Sequence, residues 1–130
     1  MRPELLYLTL SVAFTGILWI PYILDRVMTW GLNDAVGYPP NPKPQSPWAE
    51  RLKRAHANAV ENLVIFASLV LVAQAADIRS QGVIYAAMVY FWARVVHAAA
   101  YTAALPWVRT LAFTVGWLAC AAIAWRILMW

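Results

Sequence analysis

Apolar residues run from Leu5 to Leu24 without a single charge, and Asp25 and Arg26 close the run. At 1.5 Å per residue, about 20 residues cover the roughly 30 Å of a bilayer's hydrocarbon core. The pattern therefore predicts a membrane-crossing helix over about 5–26. Pro21 cannot donate a backbone hydrogen bond and is expected to kink the last turn of that helix. From Met28 to Pro47 the chain turns polar, and five prolines between Pro39 and Pro47 disfavour helix and favour an extended path. Ser46 reads as an N-cap, with Pro47 at the first helical position and Glu50 near the third. These residues open a second helix over about 48–76, polar at first and apolar after Asn62. A short polar link, Asp77–Gln81, leads to a third helix over about 82–101, and Pro106 opens a fourth that reaches Trp130. Links this short force neighbouring helices to run antiparallel. The expected fold is all-α: one integral-membrane domain over residues 1–130, an antiparallel four-helix bundle with a proline-rich loop over about 28–47.

Composition agrees with lipid as the solvent. Hydrophobic residues make up 63% of the chain and charged residues 12%, roughly half the charged share of a soluble domain. A soluble chain of this size has too little interior to hide so much apolar surface. Eight Trp and six Tyr suit the headgroup layers. The first apolar run is too long for a signal-peptide core and lacks a cleavage pattern. A net charge of +4 forms no solvated basic patch interleaved with aromatics, which argues against nucleic acid. Arg26, Lys43, Arg51, Lys53 and Arg54 flank the long loop, with Arg94 and Arg109 at the same end, whereas Arg2, Arg79 and Arg126 lie opposite. The positive-inside bias therefore puts the long loop in the cytoplasm and both termini outside. The Ala- and Trp-rich helices suggest a bacterial inner membrane.

Several polar residues sit inside these helices, where they are costly and usually face one another or a watery cavity. Arg51, Arg54, Asn58 and Glu61 follow at steps of three, four and three on the second helix, which places them in one stripe. Arg94, His97 and Tyr101 do the same on the third, and Arg109 and Thr110 open the fourth. Glu61 and Arg94 lie deepest and are expected to pair, directly or through Asn58, a pair that would fix helix register. Taken singly, these residues read as topology anchors or packing groups. Together they point to one end of the bundle and a shared cavity. Fixed cations, an amide, a carboxylate and a phenol suit a small anionic or zwitterionic ligand bearing carboxylates, and arginines beside a thiol favour its thiolate. Two histidines on different helices, without a second carboxylate at ligand spacing, make a weak metal site. No Ser-His-Asp arrangement is present, and Cys120, the only cysteine, reads as a small packed side chain. A transporter is disfavoured by the absence of an inverted repeat.

The run RLKRAHANAVEN, from Arg51 to Asn62, resembles the signature of the MAPEG family, the membrane-associated proteins of eicosanoid and glutathione metabolism. RVVHAAAY, from Arg94 to Tyr101, with Arg109 and Thr110 beyond it, is similar to the third and fourth helices of the family's microsomal prostaglandin E synthase branch. The resemblance covers nearly the whole chain. It implies a homotrimer in membrane lipid, with glutathione as co-substrate between adjacent subunits, no metal, and a lipophilic small molecule as second substrate. Arg54, Asn58, Glu61, His97 and Tyr101 would contact glutathione, and Arg26 would reach it from the neighbouring subunit. Arg109 would stabilise the thiolate, aided by Thr110. The activity implied is glutathione S-transferase or peroxidase chemistry on a lipophilic electrophile; the alternative is a non-enzymatic lipid-binding or scaffold member. Ala57, Thr110 and Phe113 depart from that branch, which has arginine, serine and tyrosine there. Asp25 and Asp34 are the candidates for an assisting acid near the loop.

Overall fold

Proline decides where three of the helices begin. In the computed structural model, which describes Met1–Trp130, helix α1 covers Pro3–Ile17, α2 Trp19–Trp30, α3 Leu32–Val36, α4 Pro47–Ala75, α5 Gln81–Thr102 and α6 Pro106–Leu128. Pro3, Pro47 and Pro106 each sit in the first turn, where the missing N–H has no partner to lose and φ is already helical. The chain is all-helical, and α1 with α2, α4, α5 and α6 are each long and apolar enough to cross a membrane. It is an integral membrane protein.

Pro21 acts earlier than its position in the sequence suggested. The helical path is interrupted at Leu18, between α1 and α2, where Leu18 N–H reaches back only to Thr15 O at 3.4 Å. Pro21 offers no N–H to the carbonyl four residues before it, that of Ile17, and its ring crowds that carbonyl. The break therefore falls one turn before the proline, and regular helix resumes to Trp30. Gly31, with φ +82°, ends α2 in a backbone conformation that other residues resist. The expected loop thus loses its first residues to α2 and contains the short helix α3. Ser46 does occupy the N-cap position of α4, but its hydroxyl caps nothing; it donates to Asp25 instead.

Both short links are Schellman turns without glycine. Asp77 and Ala104 take φ of 51° and 59°. Ile78 N–H then bonds Ala73 O at 2.9 Å, and Leu105 N–H bonds Ala100 O at 2.8 Å. These are the six-to-one bonds that satisfy last-turn carbonyls. Buried Ile78 closes the first turn as its apolar contact.

Helix α5 is the centre of the bundle, packing most extensively on α6 and also on α1 and α4. Lipid provides no hydrophobic drive between helices, so close packing of small residues must hold them together. Ala93 on α5 lies against Gly116 on α6, and Ala86, Ala87, Ala119 and Cys120 share one buried cluster, while Ala98 packs instead with Leu18, Leu52 and Ala59. Phe66 of α4 and Tyr90 of α5 stack at 3.8 Å between ring centroids, tilted by 13°, among Val70, Val83, Ala87 and Ile123. At the end opposite the long loop, Arg2 ties the chain start to the α4–α5 turn. Its guanidinium pairs with buried Glu4 at 2.9 Å and donates to Gln74 Oε1 at 2.8 Å and Ile78 O at 2.7 Å. Helix α4, with 29 residues, measures about 44 Å, more than the roughly 30 Å hydrocarbon core. Arg51, Lys53 and Arg54 stand near its loop-side end.

Candidate functional site

At the loop end of the bundle, the last turn of α5, the first turn of α6 and the start of α4 enclose a cavity of about 220 Å³, lined by Arg51, Ala100, Tyr101, Ala104, Leu105, Pro106 and Arg109. Arg51 has a structural task there. Its Nε donates to Thr102 O at 2.9 Å, satisfying one of the carbonyls that a helix C-terminus leaves open, where a cation is also favoured by the helix dipole. Arg109 has no such task. It stands in the first turn of α6, the end at which the dipole disfavours a cation. None of the three ion pairs of the chain includes it. Its guanidinium carbon lies 5.0 Å from the centroid of the Tyr101 ring, a cation–π contact that steadies the group. The arrangement is a held, unneutralised cation beside a phenol at the bundle's mouth.

One turn deeper, His97 is buried, edge-on to Tyr101 at 5.7 Å and 6.2 Å from the Phe113 ring. Its Nδ1 has no hydrogen-bond partner. Arg94, one turn further in, is only 4% exposed; its terminal nitrogen donates to Asn58 Oδ1 at 2.7 Å, while its Nε has no partner. The expected Glu61–Arg94 pair does not form within one chain, either directly or through Asn58. Arg94 takes the amide of Asn58, whose second contact is Asn62 at 3.3 Å. Glu61, three residues on, is exposed on the outer face of α4, as is Arg54. Thr110 is also exposed, since one residue along a helix turns a side chain about 100° from its neighbour. A single chain therefore gathers Arg51, Tyr101 and Arg109 in one cavity and Asn58, Arg94 and His97 in the adjoining interior. It leaves Arg54, Glu61 and Thr110 facing outward.

Arg26 stands apart from this cavity, at the end of α2. Its guanidinium lies over the Trp30 ring at 4.4 Å, with a buried, unpartnered Nε. Trp30 is fixed in turn, because its Nε1 donates to Lys43 O at 2.7 Å. The loop is pinned a second time by Asp25, which is buried and accepts from Ser46 Oγ at 2.5 Å, Ser46 N at 3.1 Å and Gln45 Nε2 at 3.3 Å. Asp25 is thus committed to holding the loop onto α2, and Asp34 lies exposed near Trp30 and Lys43. Tyr22 and His56 join α2 to α4 through a 2.7 Å contact between Oη and Nδ1. Sequence reasoning missed the roles of Trp30, Gln45 and the Tyr22–His56 contact. Each depends on a partner elsewhere in the chain, whereas Arg51, Tyr101 and Arg109 were signalled by their places on the helices.

A sequence model described as the MAPEG family matches residues 9–129 of the chain. No curated protein matches it.

Proposed function

Because the chain belongs to the MAPEG family, we propose that it is a membrane-bound, glutathione-dependent transferase or peroxidase acting on a lipophilic electrophile. One observation carries the reading: Arg109 stands in no ion pair, held against the Tyr101 ring at the end of α6 where the helix dipole disfavours a cation. Glutathione supplies the reactive sulfur. Arg109 favours its thiolate over the thiol by charge, and the Thr110 hydroxyl, which faces outward from its own chain, reaches the sulfur only in a site shared with a neighbouring subunit. Arg54, Asn58, Glu61, His97 and Tyr101 hold the tripeptide by its charged ends, which suits a set of cations, an amide and a phenol.

Arg54 and Glu61 face outward from a membrane helix, where lipid tolerates them poorly. The economical cover is another copy of the chain. We place three copies around this face, so that the Arg26 of one subunit, presented on Trp30, completes the ligand site of the next. The loop side faces the cytoplasm, a placement that the excess of Lys and Arg at that end supports.

Calorimetric titration of the detergent-purified protein with glutathione, paired with conjugation of a generic aromatic halide, tests the assignment. Binding at millimolar concentration or tighter is expected. Arg109→Ala should lower kcat about 100-fold, as loss of a charge-stabilising donor does, while glutathione affinity changes much less. Unchanged turnover in Arg109→Ala would remove the thiolate role. Neither binding nor conjugation in the wild type would favour a lipid-binding member without catalysis.

A further inference from the structure

The end of the bundle away from the long loop carries a polar cavity in which the proposed reaction has no part. It measures about 220 Å³ and opens between the first turn of α1 and the start of α5, with Arg2 and Glu4 on one side and Arg79, Ser80, Gln81 and Ile84 on the other. Helix α5, with 22 residues, measures about 33 Å, close to the hydrocarbon thickness, so its first turn stands at headgroup level. Exposed Tyr85, Trp125 and Trp130 share that end, as interface aromatics do.

The lining divides by charge. Arg79 reaches Asp77 through Nε, at 3.1 Å, so its two terminal nitrogens remain to donate. Ser80 Oγ accepts from Gly82 N–H at 3.2 Å, which leaves the hydroxyl proton for another acceptor. Gln81 opens α5, and the N–H of a first helical residue has no partner within the helix. Such a group of donors suits a phosphate. Glu4 is the opposite pole. It is only 2% exposed, and Arg2 Nε holds its carboxylate at 2.9 Å. A carboxylate offers about four acceptor positions, so this single contact leaves room for a second donor.

We propose that the cavity binds the headgroup of a phospholipid that joins a phosphate to a primary ammonium, as phosphatidylethanolamine does. The phosphate accepts from Arg79, Ser80 and the Gln81 N–H, and the ammonium donates to Glu4. Ile84, about 5 Å deeper along α5, meets the start of the acyl chains. A quaternary ammonium has no N–H for Glu4 and is recognised by aromatic faces, none of which line the cavity. A headgroup with no cation would set its charge against Glu4. Helix α4 contributes nothing to the lining, so the assembly placed around its Arg54 and Glu61 face does not require this cavity.

Native mass spectrometry of the delipidated full-length protein, titrated with dioleoyl phosphatidylethanolamine, phosphatidylcholine or phosphatidylglycerol, tests the site. One phosphatidylethanolamine per chain is expected, bound about tenfold more tightly than the other two, as one charge-assisted hydrogen bond would give. Equal retention of all three means boundary lipid and overturns the proposal. Arg79→Glu, at an exposed position, should weaken phosphatidylethanolamine binding about tenfold or more. Arg126→Gln, at the same end but outside the lining, should leave it unchanged. Glu4→Gln should erase the preference for ethanolamine over choline. Because Glu4 also anchors Arg2, Ile84→Trp provides a second route: it fills the cavity from a partly exposed position without touching a charge, and should abolish selective retention. A preference that survives both Arg79→Glu and Ile84→Trp would overturn the site. Soluble phosphoethanolamine separates the two sources of the same chemistry. It should fail to displace the lipid at equal concentration; displacement would make the ligand a soluble phosphate ester and overturn the lipid assignment.

Discussion

Arg94 is 4% exposed within a membrane-spanning helix, and its one hydrogen bond goes to Asn58 Oδ1 at 2.7 Å. A buried cation with a single neutral partner is held at a cost, and removing that partner leaves the charge alone. Asn58→Leu should therefore destabilise the protein by about 2–3 kcal/mol. Pairing it with Arg94→Met should recover much of the loss, because an apolar pair of similar size is often tolerated in place of a buried polar one. Thermal unfolding of the four proteins of this cycle in one detergent checks it; additive losses would show that the two side chains are not coupled. The polar residues were legible in the sequence as a set, because a membrane helix gives each of them a reason to be there. Their partners were not. Helical spacing puts Asn58 and Glu61 on neighbouring faces, and it took the rotation of α4 against α5 to give Arg94 the amide and leave the carboxylate outside.

The helix ends follow local chemistry closely. Pro3, Pro47 and Pro106 start helices for the reason that proline starts any helix, and Gly31 stops one with φ +82°. The α5–α6 turn departs from the usual residue choice, since Ala104 adopts φ 59° where glycine is at ease. Left-handed backbone at a residue with a Cβ costs on the order of 1 kcal/mol. Ala104→Gly should therefore stabilise the protein by up to about 1 kcal/mol, the gain reduced by the greater freedom of glycine in the unfolded chain. A rise in melting temperature without change in helix content checks this; a fall would show that the Ala104 methyl packs usefully on the cavity wall. The interruption at Leu18 was legible only in part. Proline announced a break, but its position one turn upstream follows from which carbonyl the ring displaces.

As a whole, the single chain presents two unlike faces, one apolar along α5 and α6 and one carrying Arg54 and Glu61 on α4. The proposed assembly should appear in native mass spectrometry as three copies per particle. Val64→Trp, on the exposed face of α4, should shift the population towards monomer. A monomeric wild type would remove the case for Arg26 reaching a neighbour's cavity. The sequence by itself determined the solvent, the number of crossings and the family, because apolar run length, proline placement and the two motifs are properties of order along the chain. It also marked the charged end of the bundle, since charge in an apolar run stands out without any fold. Only the tertiary structure decided which polar groups meet: Arg109 with Tyr101, Arg94 with Asn58, Arg26 with Trp30, Asp25 with Ser46. Helical periodicity assigns a side chain to a face, but the packing of four helices decides what that face looks at.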